Sequence, residues 1–124
     1  MKKVLVAEDS SVIQNLTKKI LQFQNFDIKG VKNGKEVLKC MESDQYDLIL
    51  MDINMPQMDG MTCIREIRAM ADSNKANIPV IAITGNARNY TEEDFLTAGF
   101  NDFLAKPLDF DKLVETVKRL TDTR

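Results

Sequence analysis

The sequence predicts an α/β fold built on a parallel sheet, from three observations. Short apolar runs alternate with amphipathic stretches from end to end. The runs are apolar throughout instead of alternating with polar residues, as in strands buried on both faces. Four of them finish on polar side chains: Val4 to Ala7 on Glu8-Asp9, Leu48 to Met51 on Asp52, Val80 to Ile83 on Thr84, and Phe103 to Ala105 on Lys106. Strict alternation with right-handed crossovers gives a sheet of five strands covered by five helices on both faces. The polar strand ends then gather at one edge, where ligands bind in open α/β sheets.

Each element has a local reason. Val4 to Ala7 is the first strand. A helix follows, capped by Ser10 or Ser11, with Val12, Ile13, Leu16, Ile20, Leu21 and Phe23 as its inward face. Asp27 to Val31 forms the second strand, and Asn33-Gly34 turns the chain into a helix carrying Val37, Leu38 and Met41. After Leu48 to Met51, a loop with Pro56 and Gly60 leads to a helix spaced Met61, Ile64, Ile67, Ala71. Pro79 opens the strand Val80 to Ile83. Thr91, followed by Glu92, Glu93 and Asp94, starts the fourth helix, because acidic groups in the first turn complement the helix dipole. Gly99 ends it. Asp102 to Ala105 is the last strand, and Asp109 caps a fifth helix with Phe110, Leu113, Val114, Val117 and Leu120 facing inward.

Length and composition bound the function. The 124 residues, 44% of them hydrophobic, suit one domain over residues 1–124. The 17 basic and 19 acidic residues leave a net charge of −2 with no basic run, so a nucleic-acid surface is not indicated. Glu8-Asp9 stops the first apolar run too early for a signal peptide, and no run approaches a membrane span. Cys40 and Cys63 lack the close spacing of a metal or redox pair and read as reduced thiols in helices, which fits a cytoplasmic protein.

Glu8, Asp9 and Asp52 crowded at one edge would repel one another without a cation. Oxygen-only ligands and the absence of histidine point to Mg2+ or Mn2+ over zinc. A carboxylate can attack phosphorus to form an aspartyl phosphate, provided charge on the phosphoryl oxygens is neutralised. The cation, the Lys106 ammonium and the Thr84 hydroxyl would do that, and Asp52, central in the group, is the candidate nucleophile. Any one of these residues alone reads more simply as a cap or a surface charge; their joint placement carries the inference. Asp27, Asp44, Asp47, Asp102 and Asp109, at strand starts and helix caps, keep the structural reading.

The segment Asp52-Ile53-Asn54-Met55-Pro56-Gln57-Met58-Asp59-Gly60, together with Glu8-Asp9, Thr84 and Lys106-Pro107, closely resembles the receiver domain of two-component response regulators. The resemblance runs from about Lys3 to Arg119 and rests on five matches in order. It implies a flavodoxin-like doubly wound sheet with strand order 2-1-3-4-5, for which a chemotaxis receiver is a standard example. It implies that Asp52 accepts a phosphoryl group from a partner's phosphohistidine. Asp9, Asp52 and the backbone carbonyl of Asn54 would bind Mg2+, Glu8 would act through water, and Lys106 and Thr84 would contact the phosphoryl oxygens. The Lys106-Pro107 bond is expected to be cis. Thr84 and Phe103 would form the switch that biases the surface of the fourth helix, fifth strand and fifth helix. Asn54 and Asn86 flank the path of the attacking water, and neither is a strong base.

Two other classes compete. A haloacid-dehalogenase-type phosphatase carries a second aspartate two residues after its nucleophile, and that position here is Asn54. A pseudo-receiver acting only as an interaction module would have lost part of the acidic group, the threonine or the lysine, and all are present. The expected protein is therefore a phosphoacceptor with at most slow autodephosphorylation. Its expected partners are a histidine kinase or histidine phosphotransfer protein and an output protein, with no nucleic acid or membrane contacted directly. It would be a single-domain regulator, a phosphorelay shuttle, or the receiver of a longer regulator or hybrid kinase.

Overall fold

The computed structural model describes residues 1–85 and 90–122. Asn86 lies outside them. The elements run β1 (Lys3–Ala7), α1 (Ser11–Phe23), β2 (Asp27–Val31), α2 (Gly34–Ser43), β3 (Leu48–Asp52), α3 (Gly60–Arg68), α4 (Ser73–Ala76), β4 (Val80–Thr84), α5 (Glu92–Ala98), β5 (Asp102–Ala105) and α6 (Phe110–Asp122). The five strands form one sheet in the order β2-β1-β3-β4-β5, and every pairing is parallel. This is the doubly wound flavodoxin-like order.

Because successive strand residues point to opposite faces, the strands feed two cores. On one face Val4, Val6, Leu48, Leu50, Ile81 and Ile83 pack against Leu21 of α1 and Leu113 and Val117 of α6. On the other, Leu5, Ala7, Ile49, Met51 and Ala82 meet Val37 and Met41 of α2, Cys63, Ile64 and Ile67 of α3, and Phe95 of α5. β3 and β4, flanked on both sides, are buried at every position.

The helix starts follow capping chemistry. The Asn33 side chain accepts from Glu36 N, Asp59 from Thr62 N, and Thr91 and Asp94 form a reciprocal capping box. Asp109 Oδ1 accepts from the N–H groups of Asp111 and Lys112. Gly99 ends α5 with φ of 117°, a conformation that a side chain would strain.

Three sequence expectations change. A sixth helix, α4, is present: a single turn capped by Asp72, too short to leave an apolar period. α3 stops at Arg68, so Ala71 lies beyond it and is exposed. The inward face of α1 also changes in part: Leu21 is buried as expected and Ile13 and Ile20 are half-buried, but the other three residues are not. Val12 is 77% exposed, Phe23 86% and Leu16 45%, while Gln14, Thr17 and Leu21 are buried. Apolar residues stand on more than one side of this helix, and the stripe at spacing 14, 17, 21 faces the sheet because the Gln14 amide finds backbone partners there.

Candidate functional site

The carboxyl edge of the sheet collects the expected polar groups. Asp52 ends β3 and is 1% exposed; Glu8, one residue past β1, is 2% exposed. Asp9 is exposed beside them, and the three carboxylates each offer an oxygen within 4.8 Å of the others. Lys106 follows β5, with its backbone N–H donating to Thr84 O at 2.8 Å and its ammonium 2.7 Å from Asp52 Oδ2 and 3.4 Å from Glu8 Oε1. The peptide between Lys106 and Pro107 is cis.

Asp52 is held at both oxygens: Oδ2 by Lys106, and Oδ1 by the backbone N–H of Asn54 at 3.0 Å. Its following loop is pinned close. Gly60 N donates to Ile53 O, and a Cβ on Gly60 would come within 2.8 Å of Asp52 O, so α3 can begin against β3 only with glycine there. Gly34 N donates to Met58 O, tying the same loop to α2.

Glu8 is the strained member. Its Oε2 accepts from Ser10 N at 3.0 Å, but its buried Oε1 has no hydrogen-bond partner among the described residues; the Lys106 ammonium at 3.4 Å is an ion-pair contact only. Burial first, then the neighbouring Asp52 carboxylate, push the Glu8 carboxyl up to about 7, against the opposing pull of Ser10 N–H and Lys106. Burial works to lower the Lys106 pKa, but the Asp52 and Glu8 carboxylates outweigh it and raise the ammonium above its ordinary value. The two buried carboxylates thus share one ammonium, with the Asp9 carboxylate clustered beside them. An orphaned buried oxygen in an all-oxygen donor set fits a hard divalent cation such as Mg2+.

Thr84 is buried at the end of β4, and Phe103 lies on β5. The register pairs Ala82 with Phe103 and Thr84 with Ala105, so Thr84 and Phe103 share one face of the sheet two positions apart. The half-buried Phe103 ring stacks on Phe95 of α5 at 5.6 Å, and Phe95 also meets Tyr90 and Phe100. The aspartates read as structural stay at the margins: Asp44 pairs with Lys3, Asp47 accepts from Lys3 N, and Asp102 pairs with Arg119.

Gln14 escapes the sequence reading. Its amide nitrogen donates to Val31 O at 2.7 Å and Glu8 O at 3.2 Å, directly behind the acidic pair. The available signal was Gly30, a glycine inside a short strand, which marks a close approach.

The family described as response regulator receiver domain matches residues 4–118. Over 116 residues the chain is 40% identical to the CAI-1 autoinducer sensor kinase/phosphatase CqsS of Vibrio cholerae, covering 94% of this chain and 17% of that protein. Hybrid signal transduction histidine kinase I of Dictyostelium discoideum is 38% identical over 120 residues, covering 93% of this chain and 7% of that protein. The chain therefore spans less than a fifth of the length of these relatives. Among solved structures, the receiver domain of a Pseudomonas aeruginosa PAO1 sensor histidine kinase, with magnesium coordinated in its active-site cleft, superposes with a TM-score of 0.88 at 35% identity and covers 98% of both chains. The chain belongs to the receiver domains of two-component response regulators, the phosphoacceptor signalling domains found also within hybrid histidine kinases.

Proposed function

We propose that residues 1–124 act as one cytoplasmic phosphoryl-accepting switch, with Asp52 as the acceptor. The observation that carries this is the buried Asp52 carboxylate, salt-bridged to Lys106 at 2.7 Å beside a second and third carboxylate. An Asp52 oxygen attacks the phosphorus of a phosphohistidine on a histidine kinase or histidine phosphotransfer protein. An O–P bond forms, the P–N bond breaks, and the leaving imidazole keeps the electron pair and takes a proton. Lys106 and Thr84 meet the phosphoryl oxygens. Asp9, Asp52 and the Asn54 carbonyl are the residues that would hold Mg2+, with Glu8 acting through water. When bound, the cation neutralises charge on the phosphoryl group and gives the crowded carboxylates their missing counter-ion.

The donor must approach this edge. α1 begins two residues after Asp9 and presents Val12 and Leu16 to solvent, an apolar strip beside the acceptor that suits a protein partner. On the output side, Thr84 moves toward the phosphoryl group and Phe103 follows into the space. Because Phe103 stacks on Phe95, that motion bears on α5 and so on the surface formed by α5, β5 and α6.

Incubation with Mg2+ and acetyl phosphate, followed by intact mass measurement, tests the reading. The parent gains one phosphoryl group and Asp52→Asn gains none. No gain in the parent, or an equal gain in the variant, overturns it; a parent that keeps the fold and partner binding without the gain would be an interaction module.

A further inference from the structure

We infer that Gln14 is a positioning residue for the acidic pair: its side-chain amide, lodged between the ends of β1 and β2, sets the direction in which Glu8 and Asp9 leave the sheet. The inference rests on the proposed Mg2+ site and adds a residue that touches neither the cation nor the phosphoryl group.

The β1–β2 ladder closes with Ala7 opposite Val31, after which Glu8 N donates to Val31 O at 3.0 Å. The chain then turns toward the Ser10 cap of α1. At this point Gln14, 8% exposed, supplies one more rung from a side chain: its Nε2 donates to Val31 O at 2.7 Å and to Glu8 O at 3.2 Å. A primary amide carries two N–H donors, and two carbonyls receive them. The amide is also neutral, so it grips the strand ends without placing a positive charge that would compete with a cation.

Glu8 O belongs to the rigid peptide plane that joins Glu8 to Asp9. Holding that oxygen fixes the plane from which the Asp9 side chain departs. Asp9 needs this, because it is the exposed member of the three carboxylates and has little packing of its own. Glu8, by contrast, is buried and has Ser10 N on its carboxylate.

Gly30 supplies independent support. A Cβ there would stand 2.7 Å from Gln14 Cδ and 2.8 Å from Oε1. Gly30 has no positive φ, so the backbone does not call for glycine; what an added Cβ would meet is the Gln14 amide, which would have to shift from its two carbonyl partners. Glycine weakens a strand interior. β2 carries that cost where Gln14 lies against it.

The test is Mg2+ titration calorimetry on the metal-free parent, Gln14→Met, Gly30→Ala and Thr17→Val, with unfolding curves recorded without metal. Thr17 is another buried polar residue of α1, one turn further along. Gln14→Met and Gly30→Ala are expected to weaken Mg2+ about tenfold, while Thr17→Val keeps the parent affinity even where it lowers the unfolding midpoint. Labelling by acetyl phosphate should recover in Gln14→Met at saturating Mg2+, since Asp52 and Lys106 are untouched. Unchanged Mg2+ affinity in folded Gln14→Met, or an equal loss in Thr17→Val, overturns the inference. If Gln14→Met does not fold, Gly30→Ala decides alone, and parent-like affinity there overturns it. A parent that binds no Mg2+ removes the metal site and this inference together; a parent that binds, beside a Gln14→Met that binds equally, removes only this inference.

Discussion

The two ends of the sheet solve opposite electrostatic problems. At the carboxyl edge Glu8 and Asp52 share the Lys106 ammonium with the Asp9 carboxylate clustered beside them, and among the described residues the buried Glu8 Oε1 has no hydrogen-bond partner. At the amino edge the half-buried Arg68 guanidinium has no carboxylate among its hydrogen-bond partners in the described residues. It donates instead to Gly99 O, Ala76 O, Ile78 O and Asn101 Oδ1, stitching α3 to the chain ahead of β4 and β5. A planar fork of donors suits that arrangement of carbonyls. The contrast separates a satisfied cluster, which holds the fold, from an unsatisfied one, which is ready for a ligand.

Removing the satisfied cluster should cost most. Arg68→Met leaves several carbonyls unpaired and should destabilise the protein by about 3 kcal/mol, read from urea unfolding, while Mg2+ affinity stays at the parent value. Loss of Mg2+ binding alongside stability would blur the distinction between the two ends.

Next comes pH. In the metal-free protein Glu8 titrates at about 7 against an ordinary value of 4.5. Its raised folded pKa means the folded state retains a proton that the unfolded chain gives up. This stability is full below pH 4.5 and is lost as pH rises through 7, a loss on the order of 2–3 kcal/mol at most. Denaturation at pH 5 and pH 8 should show the fall in the parent and a flatter profile in Glu8→Gln. A profile that is equally steep in both would place the strain elsewhere.

Smaller effects sharpen the picture. Asp9→Ala should weaken Mg2+ by about tenfold or more with little change in unfolding, and Asp27→Ala should do neither; calorimetry compares them. Equal effects would count against the proposed ligand set. Least of all, Phe23→Ser should change stability by less than about 0.5 kcal/mol, because the ring is 86% exposed. A core-sized loss would restore the inward face first expected for α1.

Much was legible before folding was considered. The four apolar runs and the polar residues that end them set the strands, and a parallel sheet places all those ends at one edge. Local chemistry was equally direct at Gly99, whose φ of 117° excludes most side chains, and at Thr91 and Asp94, which cap α5 between themselves. Such features need only neighbours in sequence. The partners of Arg68 lie 8 to 33 residues away, and no local pattern distinguishes it from a solvated arginine.

α1 shows where that legibility ends. Hydrophobicity establishes that Ser11–Phe23 is an amphipathic helix, but it carries apolar residues on more than one side. Which stripe turns inward depends on whether buried polar groups find partners, and those partners belong to other elements. Gln14 can be buried because Glu8 O and Val31 O receive its amide and Gly30 leaves it room. Likewise the order of apolar runs and their polar ends was enough to bring Glu8, Asp9, Asp52 and Lys106 to one edge. That the Lys106 ammonium reaches both buried carboxylates, yet leaves Glu8 Oε1 an ion-pair contact with no hydrogen bond among the described residues, follows from packing, because burial and unmet hydrogen bonds are properties of the packed chain.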